Sequence, residues 1–189
     1  MIFESVKEAL NFPFKQQDWI KTMLLGSILT LAAFLVLPAP LLLGYMVRVM
    51  REDSIPSFNN LLEMYVDGLK AFAVAILYML PGILLLGLFD GGIAILGFLI
   101  FLIGWWGFES GLYQLANNGF KQAFTKEALK TVFAFNYFLG IVASILVPIT
   151  VFLAYTMSLL LVVTILLYPA VQFYATVVRY RIIKNAIEA

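Results

Sequence analysis

Residues 71–108 read AFAVAILYMLPGILLLGLFDGGIAILGFLIFLIGWWGF, and Asp90 is the one charged side chain among them. Each half has the roughly 20 apolar residues that a helix needs to cross a hydrocarbon core about 30 Å thick. Between the halves, Asp90-Gly91-Gly92 has the composition of a tight turn, because glycine tolerates positive φ and a carboxylate prefers water. The stretch therefore predicts a transmembrane helical hairpin turning at Asp90. The chain on either side repeats that layout in varied form.

Charged residues make up 12% of the chain and hydrophobic ones 63%. A soluble domain carries about 25% charged residues, so too little polar surface exists here to coat a water-exposed fold. No charged side chain occurs from Thr131 to Val178. The runs are apolar all round, unlike the alternating segments of a β-barrel. The predicted fold class is all-α: a polytopic transmembrane helical bundle forming a single membrane domain over residues 1–189. With no cysteine and no histidine, disulfides are excluded and no zinc, iron or copper site can draw on those ligands. The usual thiol nucleophile and near-neutral acid/base are missing too, and the reading expects neither metal nor cofactor. A net charge of +1 implies no bulk attraction to nucleic acid. The N-terminus carries Glu4 and Glu8 and lacks a cleaved signal's basic-then-apolar pattern, so the first apolar segment is expected to act as an uncleaved anchor.

Taken in order, residues 2–14 place Ile2, Phe3, Val6, Leu10 and Phe14 on one helical stripe, suited to lying in the membrane interface. Asp18, Trp19 and Lys21 mark a boundary. The run from Thr22 to Val47 is interrupted by Pro38-Ala39-Pro40, and two readings stay open, one long kinked helix or a hairpin with short arms. Residues 58–72 are amphipathic, with Phe58, Leu61, Leu62, Tyr65, Leu69 and Phe72 opposite Asn59, Asn60, Glu63, Asp67 and Lys70. Asn117-Asn118-Gly119 stops a helix. A third amphipathic stretch carrying Lys121, Lys126, Glu127 and Lys130 follows, then spans at about 132–153 and 157–178 with a turn near Ala154-Tyr155-Thr156. The layout, an amphipathic helix and then an apolar hairpin, recurs as pseudo-repeats at about 2–51, 57–118 and 120–184. Placing the three amphipathic segments and the C-terminus on one side gathers every Lys and Arg there. The positive-inside rule makes that side cytoplasmic. Charge bias thus favours the short first hairpin, giving six membrane segments, both termini inside and residence in the cytoplasmic membrane.

The runs DWIKTMLLG at 18–26, PAPLLLGYMVRVMR at 38–51 and YVDGLKAF at 65–72 resemble a largely archaeal family of polytopic membrane proteins catalogued as a domain of unknown function. The most distinctive parts are Gly44-Tyr45 with Arg48 and Asp67-Gly68 with Lys70. The resemblance covers most of the chain; it implies membrane location and fold and carries no activity.

Individual residues admit both functional and structural readings. Arg48 and Arg51 are candidates for lipid headgroups, since guanidinium matches phosphate in bidentate geometry; the alternative is an interface anchor. Glu63, Asp67 and Lys70 form an interfacial charged face, expected to be solvated, with Asp67 and Lys70 as a local pair. Glu109, Asn136 and Gln172 are the intramembrane polar candidates. Glu109 is expected to pair with Lys121 or Lys126, and Asn136 and Gln172 to hydrogen-bond between helices. Asp90 reads as a solvated turn residue. The Gly104, Gly107 and Gly111 stripe and the Gly140-to-Ser144 pair suit close helix packing. Pro81, Pro148 and Pro169 interrupt spans, as in many transporters, but also in membrane helices generally. No convergent acid, base and nucleophile is seen, so no enzyme is expected. The expected function is a non-catalytic membrane scaffold associating with lipid or a protein partner, which could be a second copy or another membrane protein. The alternative is a small oligomeric channel or transporter for an ion or small solute.

Overall fold

A computed structural model describes residues 2–15, 18–32, 38–158 and 163–188. Among them the fold is all-helical, with eight α-helices: α1 (Ile2–Asn11), α2 (Trp19–Ala32), α3 (Ala39–Arg51), α4 (Leu61–Leu88), α5 (Gly92–Asn118), α6 (Lys126–Val132), α7 (Phe135–Ser158) and α8 (Val163–Glu188). Short 3-10 turns follow α1 at Phe12–Phe14 and α5 at Phe120–Phe124.

Three helices are long and apolar enough to cross a membrane: α4, α5 and the Phe135–Leu153 part of α7. At 1.5 Å per residue, the 28 residues of α4 reach about 42 Å, more than the ~30 Å core. Its first turns are the amphipathic stretch read from sequence, continuous with the span. In the first apolar run the described parts are α2, with 14 residues, and α3, with 13, each about 20 Å long; residues 33–37 between them, on which the choice between a short hairpin and one kinked helix turns, lie outside the described residues. The turn expected at 154–156 is helix, because α7 continues to Ser158. The turn expected at Asp90 is present, with Gly91 at φ +63° where a side chain would be strained.

The core sits at one end of the bundle. Every residue of α3 from Gly44 to Met50 is buried, as a helix surrounded on all sides must be. Tyr45 stacks on Phe58 with ring centroids 4.7 Å apart, and Phe173 of α8 closes on it at 5.2 Å. Toward the Asp90 turn, α4 and α5 lie antiparallel and expose leucine and isoleucine outward, among them Leu88, Ile95 and Ile103. Monomers in water do not leave so continuous an apolar surface bare. In lipid that surface costs nothing, and helices then associate through close packing. Gly104, Gly107 and Gly111 form the expected smooth stripe, in which the Tyr78 side chain and backbone of α4 are seated. Gly140 of α7 likewise admits Ala186 of α8.

Candidate functional site: the charged end of the bundle

Helices α3 and α4 meet backbone to backbone. A Cβ on Gly44 would lie 1.8 Å from the Met64 carbonyl oxygen, and one on Gly68 would lie 1.6 Å from that of Pro40. Only glycine allows backbones this near. The contact places the last turn of α3 beside the first turns of α4. Arg48, buried, donates to the carbonyls of Asn59 at 2.7 Å, Asn60 at 3.3 Å and Ser57 at 3.4 Å, and to the Glu63 carboxylate at 3.4 Å. Asn60 adopts φ +55°, a left-handed conformation that asparagine tolerates better than most residues, and this turns its carbonyl toward Arg48. Arg51 donates from Nε to the Ala116 carbonyl at 2.8 Å and from its other end to Asp67 at 3.2 Å; Lys70 reaches Asp67 at 3.1 Å.

These positions correct two expectations. Arg48 is buried and committed to protein partners, while Arg51, bonded to Ala116 and Asp67, keeps its side chain 39% exposed. Asp67 is not solvated: its side chain is 7% exposed, held between Arg51 and Lys70, whereas Glu63 and Lys70 do face outward. The residues of the two motifs Gly44-Tyr45 with Arg48 and Asp67-Gly68 with Lys70 meet in one joint, which spacing along the chain did not reveal.

On the other flank, α8 carries its cations inward. Arg181 donates to the Glu52 carbonyl at 2.9 Å and pairs with Glu8 and Asp53 at 3.5 Å each, while its guanidinium lies 4.4 Å from the Phe12 ring centroid. Lys184 donates to Asp53 at 2.7 Å, with its side chain 4% exposed. Asn185 donates to the Ser5 carbonyl and Tyr174 to that of Leu10. So α1 is docked on α8, and the two ends of the described chain meet. The sequence signal for the burial of Arg181 and Lys184 is their interleaving with Ile182, Ile183 and Ala186.

The hydrogen bond from Lys184, reinforced by its charge and that of Arg181, holds the Asp53 carboxyl below its ordinary value of 3.8. The unfolded chain therefore binds a proton first as pH falls. The contribution is complete above the unfolded value and lost as pH drops through the lower, folded one. We expect the difference in melting temperature between wild type and Asp53→Asn, measured in detergent, to be constant from pH 5 to 7 and to shrink below about pH 4. An equal difference at pH 3 would show that Asp53 stabilises through something other than its charge.

Deeper in the bundle, Glu109 of α5 is 2% exposed and forms an ion pair with Arg179 of α8, whose side chain is 26% exposed. The partner is not Lys121 or Lys126, both of which are exposed. The second Glu109 oxygen, Arg179 Nε, the Tyr45 hydroxyl and the Trp106 indole N–H are buried with no hydrogen-bond partner among the described residues. Nearby, Tyr137 donates to the Trp106 carbonyl at 2.5 Å. Ser110 donates to the Ala128 carbonyl at 2.8 Å, and Tyr78 to that of Ala123 at 2.6 Å, fixing α6 and the 3-10 turn before it. Asn136 stands in the first turn of α7 and is exposed, and Gln172 of α8 is exposed as well. Both lie on exposed surface, and their expected interhelical bonds are not made among the described residues. Asp90 is exposed in its turn. The arrangement ties helices together; among the described residues no three carboxylates, cysteines or histidines converge on a point.

No curated protein and no solved structure matches the chain. The model of a family described as protein of unknown function (DUF4013) matches residues 25–187. That span takes in the Gly44–Gly68 joint, the Glu109–Arg179 pair and Lys184, and the chain belongs to this family.

Proposed function

We propose that this protein is a non-catalytic integral membrane scaffold, seated in the cytoplasmic membrane with both termini inside, that associates with lipids or a membrane partner. The supporting observation is the use made of its polar groups. Arg48, Arg51, Arg179, Arg181 and Lys184 are all spent on holding helices to one another, and the space between α3, α4 and α8 is filled by Tyr45, Met64 and Phe173. A transport path needs polar groups facing a shared cavity, and Asn136 and Gln172 face outward instead. The Asp90 turn, without lysine or arginine, belongs outside by the positive-inside rule. The competing reading, a small channel or transporter, draws its support from the buried Glu109–Arg179 pair, since ionisable groups at membrane depth often serve pathways.

The natural absence of cysteine permits a direct test. Single variants Asp90→Cys, Ser144→Cys, Thr150→Cys and Gln172→Cys are treated with a membrane-impermeant thiol reagent in intact cells and in inverted vesicles. We expect Asp90→Cys to react in intact cells and the other three to react in neither preparation. Labelling of Ser144→Cys or Gln172→Cys would reveal an aqueous path and transfer the assignment to transport. Labelling of Asp90→Cys from the inner side alone would invert the topology.

A further inference from the structure

Lysine and arginine are unevenly committed. Arg48, Arg51, Arg179, Arg181, Lys15, Lys70 and Lys184 all lie in ion pairs. Lys7, Lys21, Lys121, Lys126 and Lys130 are exposed and lie in no ion pair among the described residues. The last three sit on α6 and the 3-10 turn leading into it. Glu127, among them in sequence, has its pKa lowered first by its own backbone N–H and the Thr125 hydroxyl, and then by the charges of Lys130 and Lys126. Three of the five lysines outside ion pairs thus gather at one corner of the molecule, with Glu127 among them.

That corner adjoins an apolar groove. Leu102, Ile103 and Trp106 of α5 form one wall, and Val132, Phe133 and Phe138 at the α6–α7 corner form the other, enclosing about 490 Å³. This lies within the size range of small-molecule sites, about 300–1,000 Å³. Trp106 and Phe138 stack across it with centroids 5.5 Å apart. Phe133 is 84% and Phe135 71% exposed, standing where α6 ends and α7 begins. Lys130 is on the turn that ends in Val132 and Phe133, and its carbonyl accepts the Phe133 N–H at 3.2 Å. Lys126 is one turn earlier on the same face, at i, i+4 spacing.

We propose that this groove binds a single anionic phospholipid, its hydrocarbon chain along Leu102, Trp106 and Phe138 and its phosphate at Lys126 and Lys130. The assignment rests on the scaffold reading and names its ligand. Charge selects the occupant: exposed lysines outside any ion pair, on the helix that leads into an apolar slot, complement an anionic headgroup above a chain. A second copy docking symmetrically through this face would set lysine against lysine, which is repulsive. The lysine stems are long enough to lie along apolar surface while their ammonium groups reach the headgroup level.

The test uses Trp106 as the reporter, in a Trp19→Phe/Trp105→Phe background, in nanodiscs of phosphatidylcholine containing a small fraction of phosphatidylglycerol. One or the other lipid carries brominated chains, which quench tryptophan on contact. We expect phosphatidylglycerol to quench preferentially over phosphatidylcholine by about tenfold per mole. Lys126→Gln/Lys130→Gln should bring the ratio near one without lowering the melting temperature, because both lysines are exposed. Ala134→Trp, made with Trp106→Phe, fills the groove and tests the second half of the claim: native mass spectrometry should show retained phosphatidylglycerol lost. Equal quenching by the two lipids would overturn the proposal. So would an unchanged ratio in the double lysine variant, or a dimer whose dissociation opens the groove. Loss of preferential quenching with Ser144→Cys and Gln172→Cys still unreactive would remove the lipid site and leave the scaffold. Reactive cysteines with quenching intact would do the reverse.

Discussion

Arg179→Met is expected to destabilise the protein by about 3–5 kcal/mol, the range for removing one partner of a buried ion pair. The Glu109 side chain is 2% exposed, buried by the packing of α5 and α8. Without Arg179 its carboxylate has no cation beside it and no route to water. Glu109→Gln is expected to cost less, about 1–3 kcal/mol, because the guanidinium left behind is 26% exposed and can hydrate. The double variant Glu109→Leu/Arg179→Met should recover most of the loss, since an apolar pair of similar volume avoids burying charge at all. Unfolding curves in mixed micelles would measure all three. A double variant as unstable as Arg179→Met would mean that packing, and not an orphaned charge, is what Arg179 supplies.

Gly68→Ala is the second large effect. The added methyl would lie 1.6 Å from the Pro40 oxygen and 2.5 Å from its carbon. Both obstacles are backbone and cannot rotate aside, so α3 must back away from α4. Overpacking costs typically about 1–3 kcal/mol, and here the retreat also stretches the bond from Arg51 to Asp67, now 3.2 Å. Gly44→Ala meets the same barrier from the other side, 1.8 Å from the Met64 oxygen. The two should be far from additive, because one separation of the helices relieves both clashes. Gly87→Ala is the control: nothing lies within 4 Å of its added methyl, and it should be neutral or stabilising by up to about 1 kcal/mol. Comparable losses at Gly68 and Gly87 would show that helix flexibility, not the α3–α4 contact, is being measured.

Glycine illustrates how far the chain could be read in advance. The stripe at Gly104, Gly107 and Gly111 was legible because its members recur on one face of one helix. The Gly44–Gly68 contact was not, although both residues stood inside the most distinctive motifs. A helix carries its own periodicity in its sequence but not the identity of the helix it packs against. The same limit explains Glu109. Its neighbours in sequence offered Lys121 and Lys126, while its partner, Arg179, lies 70 positions away and becomes adjacent only through the packing of α8 on α5.

Composition and hydropathy by themselves determined that the chain is helical, that α4, α5 and most of α7 can cross a membrane, and where the Asp90 turn falls. These follow from backbone satisfaction: in hydrocarbon every N–H and C=O must be paired within the segment, so a long apolar run has little choice but helix. The tertiary structure alone decided which face of each helix is inside. Lipid-facing and protein-facing surfaces are equally apolar, so no hydrophobic difference marks the buried side. Burial therefore went to the sites where backbones could approach and charges could pair. Asp67, Glu109, Arg181 and Lys184 went in, and Leu62, Phe133 and Phe135 were left outside.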